Sequence, residues 1–237
     1  MIVIPMLGRS SRFSSCGYVK PKYQLPLGDE TLFTKSLRSF EQYFSNEHFL
    51  FLVRSDHNAR EFVLSELSRV GIVDFRIKEF DFETRGQAES VYLGLSDYTE
   101  ELPVLIFNID TIRKNFTFPS NDLLRDGFLE VFNGEGDNWS FVKPLDSNRV
   151  EYTTEKERIS NLCSNGIYGF SKIYNFRLAY EAYIRDSLTD VGEIYIAPLY
   201  NHLIKNGFDI TYIMLEDYVT LHSGLPETYE ALKKILK

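Results

Sequence analysis

The sequence predicts an α/β fold on a largely parallel sheet, and two observations carry that expectation. Up to Asp110, apolar runs of strand length alternate with segments of helical periodicity; beyond it, strand-like runs follow one another across Gly, Asp, Asn and Ser turns with no helix between them.

The chain opens with Ile2-Val3-Ile4 as a first strand. Segments 48–53 (HFLFLV), 75–80 (FRIKEF) and 104–108 (VLIFN) read as further strands, two of them continuous enough to be buried on both faces. Between them Phe33, Leu37, Phe40 and Phe44 recur at steps of four, three and four. Phe62, Val63, Leu67 and Val70 repeat near-helical spacing, and 87–95 makes a third helix. Parallel neighbours need a crossover, and here the crossovers are helical. In the second half, 127–132, 139–143, 150–154 and 166–170 read as antiparallel additions. Helices are expected at 175–186, 194–205 and 226–236, with a late strand at 209–214. With no linker, repeat or low-complexity segment, a single domain over 1–237 is expected, its two halves sharing one sheet.

At 237 residues and 43% hydrophobic content the chain can bury a full core. Its net charge is −8, yet residues 1–38 carry six Lys and Arg against two acids, a local balance of +4 that leaves −12 for the rest. A nucleic-acid binder needs a broad basic face, so the asymmetry points to a small anion held at one place. Cys16 and Cys163 form no CxxC pair and the N-terminus shows no signal-peptide pattern, which suits two free thiols in a reducing cytoplasm. No apolar run approaches the ~18–20 residues that span a bilayer.

In an open parallel sheet, ligands bind beyond the carboxyl ends of the strands. The loops there hold, in turn, the basic cluster, Ser55-Asp56, 83–87 (ETRGQ) and 109–111 (IDT), a phosphate-binding loop facing a carboxylate. Gly8-Arg9-Ser10-Ser11-Arg12 fits neither GxxxxGK[ST] nor GxGxxG. It still offers a small residue, hydroxyls and successive N–H groups for an anion. His48, His57 and His202 show no ligand spacing and read as surface or packing residues.

Segment 7–13 (LGRSSRF), followed by 21–27 (PKYQLPL), resembles the opening of the nucleotidyltransferases that activate sugar phosphates and related small phosphates. Segments 86–91 (GQAESV), 108–110 (NID), 155–156 (EK), 165–168 (NGIY) and 192–195 (GEIY) are similar to that family's base, metal and acceptor segments. The resemblance implies a Rossmann-like, GT-A-like fold, with 1–112 as nucleotide-binding half and 113–237 as acceptor-binding half. Segments 137–142 (DNWSFV) and 155–168 (EKERISNLCSNGIY) resemble the branch of bacterial capsule and surface-polysaccharide loci, and within it most of all the cytidylyltransferases that act on a small phosphate such as phosphorylated L-glutamine.

The reaction so implied joins an acceptor phosphate to the α-phosphorus of an NTP, CTP being favoured, and releases pyrophosphate. By the same resemblance Arg12 binds the triphosphate and Lys22 stabilises the transition state. Leu7, Gly8, Arg9, Ser10, Ser11, Gly86 and Gln87 meet the nucleotide; Lys156, Asn165, Tyr168 and Glu193 meet the acceptor. Asp110 holds Mg²⁺. Where the family places a second metal Asp this chain has His222, so Asp217 takes that role, His222 coordinates instead, or Asp110 stands alone. Ser10 replaces a family Gly. Partners are the NTP and a phosphorylated small molecule, without nucleic acid or an integral membrane segment; a homo-oligomer stays open. Alternatives are a sugar-1-phosphate enzyme using UTP or dTTP, a GT-A glycosyltransferase, for which the Asp-x-Asp motif is missing at Asp110-Thr111-Ile112, and a regulatory relative without catalysis.

Overall fold

The computed structural model describes residues 1–186, 192–216 and 219–236. In chain order its elements are β1 (Ile2–Pro5), α1 (Ser11–Ser15), β2 (Pro26–Leu27), β3 (Glu30–Thr31), α2 (Leu32–Leu37), β4 (Phe49–Arg54), α3 (Ala59–Val70) and β5 (Phe75–Phe80). There follow α4 (Gln87–Gly94), β6 (Val104–Phe107), β7 (Thr111–Arg113), α5 (Asn121–Leu124), β8 (Gly127–Asn133), β9 (Ser140–Pro144), β10 (Val150–Glu155) and β11 (Leu162–Phe170). The last are α6 (Ile173–Asp186), α7 (Tyr200–Lys205), β12 (Ile210–Met214), β13 (Thr220–His222) and α8 (Pro226–Ile235). The architecture is the expected Rossmann-like one, mixed parallel and antiparallel sheet flanked by helices.

Two compact units interleave along the chain. The N-terminal unit comprises 2–83, 107–117 and the described residues from 219 onwards; the central unit comprises 84–106 and 118–216. In the N-terminal unit β1 pairs with β4 and β4 with β5, both in parallel, so the crossovers inferred from periodicity are present. Phe49 to Val53 are wholly buried, as a strand covered on both faces requires. In the central unit β10 pairs with β9, β9 with β11 and β11 with β8, all antiparallel, and β12 adds to β8 in parallel.

Two helices differ from expectation. The segment 33–44 is not one helix: α2 stops at Leu37 and a 3₁₀ stretch, Arg38–Tyr43, follows with Phe40 at φ −112°. Phe40 packs edge-on against Phe107 and Phe116 at 4.7 and 4.9 Å, and that aromatic seat outweighs continuation of the helix. The helix expected over 194–205 begins later, as a 3₁₀ turn at Ala197–Leu199 leading into α7. Ile194 cannot join it because its N–H donates to the Arg85 carbonyl at 2.6 Å and its carbonyl accepts from Ala88 N–H at 3.0 Å.

Three short features had no sequence signal: α1, the β2–β3 hairpin, and the antiparallel β7–β13 ribbon that sets His222 opposite Thr111. A cluster of Phe13, Leu25, Leu27, Leu32, Tyr229 and Leu232 packs beneath the first loop. Tyr229 Oη donates to the Pro26 carbonyl at 2.5 Å, so α8 holds the hairpin from below. No helix among the described residues is long and apolar enough to cross a membrane.

Candidate active site

β1 delivers the chain into a loop whose shape depends on Ser10. Ser10 sits in the left-handed region at φ 52°, the conformation for which Gly is the default residue. Its hydroxyl accepts the Lys22 N–H at 3.2 Å, a bond Gly could not make. The strained backbone therefore joins the first loop to the Pro21–Leu25 segment and fixes where Lys22 starts.

The Lys22 ammonium donates to Asp110 Oδ2 at 2.5 Å, with the two side chains 25% and 21% exposed. Burial alone would raise the Asp110 carboxyl; the Lys22 charge and hydrogen bond outweigh it and hold the carboxyl below its ordinary range. Ser223 clamps the backbone of Asp110, its N–H and hydroxyl each donating to the Asp110 carbonyl at 2.8 Å. His222 precedes that clamp, and burial drives its imidazole down to about 4, so it is neutral at pH 7.

A β-carbon on Gly224 would stand 2.8 Å from Asp110 Oδ2, so the missing side chain leaves an opening beside the carboxylate. Among the described residues no group of three or more His, Cys, Asp and Glu forms a metal cage. One carboxylate, a neutral imidazole and an opening fit an ion that takes its remaining ligands from substrate oxygens and water. Asp217 lies outside the described residues.

Gly8, Arg9 and Ser11 line a cleft of about 420 Å³ with Tyr23, Arg54, Asp56 and His57. Arg9 is exposed and pairs with Glu83, while Leu7 is buried behind it. Arg12 is exposed on α1 and is not part of the cleft lining. Arg54 escaped the sequence reading, although an Arg as last residue of a buried strand was an available signal, and His57, expected as a surface or packing residue, lines the cleft.

The remaining candidates lie in the central unit. Gly86, at φ 127°, leads into α4, and a β-carbon there would stand 2.6 Å from Ile194 N and 2.7 Å from Ile194 O. Only Gly permits this approach, which brings Gln87 and Glu193 onto adjoining segments. Lys156, also left-handed at φ 56°, places its ammonium 4.4 Å from the centre of the Tyr195 ring and donates to Tyr195 Oη, which in turn donates to Glu193. Tyr168 Oη and Ser140 Oγ lie 3.4 Å apart, and Ser140 donates to Glu155. Burial pushes the Glu155 carboxyl up, against the opposing pull of Ser140 and Lys156. Asn165 turns inward: its Nδ2 donates to Glu130 at 2.7 Å and its Oδ1 accepts Ile167 N–H at 3.0 Å. Its side chain spans a break in the β11–β8 register between Ser164 and Tyr168.

A nucleoside-diphosphate-sugar pyrophosphorylase from Vibrio cholerae RC9 is 44% identical over 99% of this chain and all of its own, with a TM-score of 0.93. The chain belongs to the nucleoside-diphosphate-sugar pyrophosphorylase family. An inositol-1-phosphate CTP transferase from T. maritima, 16% identical over 99% of this chain and 95% of its own, shares the fold at a TM-score of 0.74. So does a UDP-glucose pyrophosphorylase complexed with UDP-glucose, at 15% identity over 99% and 97% and a TM-score of 0.75. No protein-family model and no curated protein matches the chain. In this pyrophosphorylase-family chain the Lys22–Asp110 pair therefore sits in a nucleotidyltransferase fold.

Proposed function

We propose that the chain is a single-domain cytoplasmic nucleotidyltransferase that moves a nucleotidyl group, CMP from CTP, onto the phosphate of a small acceptor. The acceptor is a phosphorylated amino acid of the phospho-L-glutamine type, in surface-polysaccharide biosynthesis. The observation that supports this best is the Lys22–Asp110 contact at 2.5 Å beside a loop fixed by Ser10.

An acceptor phosphate oxygen attacks the α-phosphorus; the new P–O bond forms as the bond to the bridging oxygen breaks, and pyrophosphate leaves with the electron pair. Both reactants are anions, so catalysis is mainly positioning and charge neutralisation. Arg12 meets the triphosphate with its planar fork, while Gly8 and the hydroxyls of Ser10 and Ser11 admit close approach of the phosphates. Lys22 exchanges its partner Asp110 for the α-phosphate as charge redistributes. Mg²⁺, held by Asp110 and His222, would neutralise phosphate charge. Gly86 and Gln87 hold the base, Lys156 leaves the Tyr195 ring for the acceptor phosphate, and Glu193 binds a polar group of the acceptor beside Tyr168. Asn165 serves that pocket by shaping β11.

A second reading, a sugar 1-phosphate as acceptor with UTP or dTTP, is favoured by the name of the 44%-identical Vibrio relative. One assay separates them: pyrophosphate release with CTP, UTP, dTTP, GTP and ATP, each against hexose 1-phosphates, phosphocholine and phosphorylated glutamine. Release with CTP and a phosphorylated amine or amino acid supports the first reading. Release only with UTP or dTTP and a hexose 1-phosphate replaces it with the second.

A further inference from the structure

We infer that Tyr195 is a positioning residue of the acceptor site: its phenol stands between Lys156 and Glu193 and keeps the charge of Lys156 for an incoming phosphate. The inference rests on the proposed assignment of Lys156 to the acceptor phosphate and adds a residue to which that reading gives no binding role.

The three residues all belong to the central unit, and other contacts hold their backbones in place. Lys156 follows β10 in the left-handed region at φ 56°, and its N–H donates to the Trp139 carbonyl at 2.9 Å. Glu193 and Tyr195 flank Ile194, whose N–H and carbonyl are bonded to Arg85 and Ala88. What is left to move is the four-carbon lysine stem, not the chain that carries it.

The side chains make one line of contacts. The Lys156 ammonium lies 4.4 Å from the centre of the Tyr195 ring and donates to Tyr195 Oη, and the Tyr195 hydroxyl donates to Glu193. A phenol accepts and donates at the same oxygen, so it serves a cation and a carboxylate together without carrying charge itself. Both charges are felt close by. Burial is the main force raising the Glu155 carboxyl, Ser140 and Lys156 oppose it, and Glu193 adds to it.

The placement of the phenol decides what Lys156 offers an anion. A ring face and a neutral oxygen are weak partners at an exposed site, so the ammonium can exchange them for phosphate oxygens at little cost. The phenol proton meanwhile holds Glu193, so the carboxylate does not follow the lysine. Without that oxygen the ammonium and the carboxylate are one atom's reach apart and can pair directly. A lysine paired in this way presents little net charge, and the carboxylate beside it repels the phosphate.

The test follows Lys156 itself, by 1H–13C correlation spectra of the lysine ε-methylene groups in the full chain titrated with inorganic phosphate, the resonance being assigned with Lys156→Arg. The readout is local, so phosphate bound at the first loop does not enter it. Tyr195→Phe keeps the ring and removes only the hydroxyl. It is expected to weaken phosphate at Lys156 roughly fivefold, or about 1 kcal/mol, the upper range for an exposed ion pair, while the melting temperature holds. Adding Glu193→Gln to Tyr195→Phe is expected to restore the wild-type affinity, whereas Glu193→Gln alone changes it little; this coupling is what a merely structural tyrosine would not show. An unchanged or tighter phosphate affinity in Tyr195→Phe overturns the inference. So does an equal gain from Glu193→Gln with and without the phenol, because the two residues would then act independently. A wild-type Lys156 resonance that ignores phosphate removes Lys156 from the acceptor site and the inference with it, while pyrophosphate release by the wild type separately decides whether the chain is a nucleotidyltransferase.

Discussion

The ammonium of Lys22 and the carboxylate of Asp110, 88 residues apart in sequence, meet at 2.5 Å and form a mostly buried ion pair. In the proposed reaction this pair keeps Lys22 and Asp110 neutralised until the triphosphate and its counter-ion arrive. Lys22→Ala is expected to lower kcat by about 10²–10³, the usual cost of one preorganised donor to developing charge. Lys22→Arg should recover only part of it, because a planar fork is a poor substitute for a point charge. Steady-state kinetics of pyrophosphate release check this, and normal turnover in Lys22→Ala would remove Lys22 from the chemistry.

Ser10 combines an unfavourable backbone with a useful hydroxyl. Ser10→Ala keeps the left-handed strain and loses the bond to Lys22 N–H, so a loss of about 1 kcal/mol is expected. Ser10→Gly loses the same bond and relieves the strain, so it should be the more stable of the two by about 1–2 kcal/mol. Denaturant unfolding of the two variants measures the difference directly.

Much of this was legible beforehand, and the reason differs by residue. Phe49–Arg54 and Val104–Phe107 were readable as strands because burial on both faces demands an unbroken apolar run. The cations of the first loop were readable because their charge opposes that of the whole chain. The role of Ser10 was not, since a left-handed φ at a serine leaves no mark in the amino-acid sequence. Nor was the β7–β13 ribbon, whose three-residue strands are too short for any period yet deliver His222 to its place. The start of the helix before α7 was misread because backbone groups of Ile194 are taken by a segment far away in sequence, which periodicity cannot register.

His222, which the family resemblance sets where an acidic ligand is expected, is neutral at pH 7. Mg²⁺ prefers oxygen ligands, whereas imidazole suits transition metals better. His222→Asp is therefore expected to strengthen Mg²⁺ binding and weaken the advantage of Mn²⁺. Competition of Mg²⁺ against Mn²⁺, followed by electron paramagnetic resonance with NTP present, reads this without turnover. An unchanged competition ratio would take His222 out of the metal's coordination.

Glu66 links stability to pH. Burial pushes its carboxyl up, but hydrogen bonds from Thr31 and Thr34 and the charge of Arg69 outweigh that, so its pKa in the folded state lies below the ordinary value. A depressed acid stabilises the fold above its unfolded pKa, and the contribution fades as pH falls through the folded pKa. Glu66→Gln should therefore flatten the acid limb of a stability profile below the ordinary carboxylate pKa, with the loss relative to wild type largest at neutral pH. Urea unfolding across that range is the measurement.

Gly8 and Gly86 separate a glycine kept for its ligand from one kept for its fold. At Gly8 a β-carbon meets nothing within 4 Å, so Gly8→Ala should leave unfolding free energy nearly unchanged. If the phosphates approach the backbone there, the same methyl group intrudes on them, and NTP affinity should fall while the melting temperature does not. At Gly86 the position is reversed. The added carbon would lie 2.6 and 2.7 Å from backbone atoms of Ile194, and φ 127° is closed to other residues, so the chain must shift to accept Ala. That shift breaks the two backbone bonds joining Ile194 to Arg85 and Ala88, each worth about 0.5–1.5 kcal/mol, on top of the conformational strain. Gly86→Ala should thus lower the melting temperature clearly and weaken nucleotide binding as a consequence. Thermal unfolding together with NTP titration for both variants gives a crossed pattern if the assignments hold. Equal thermal losses would show that Gly8 too is structural.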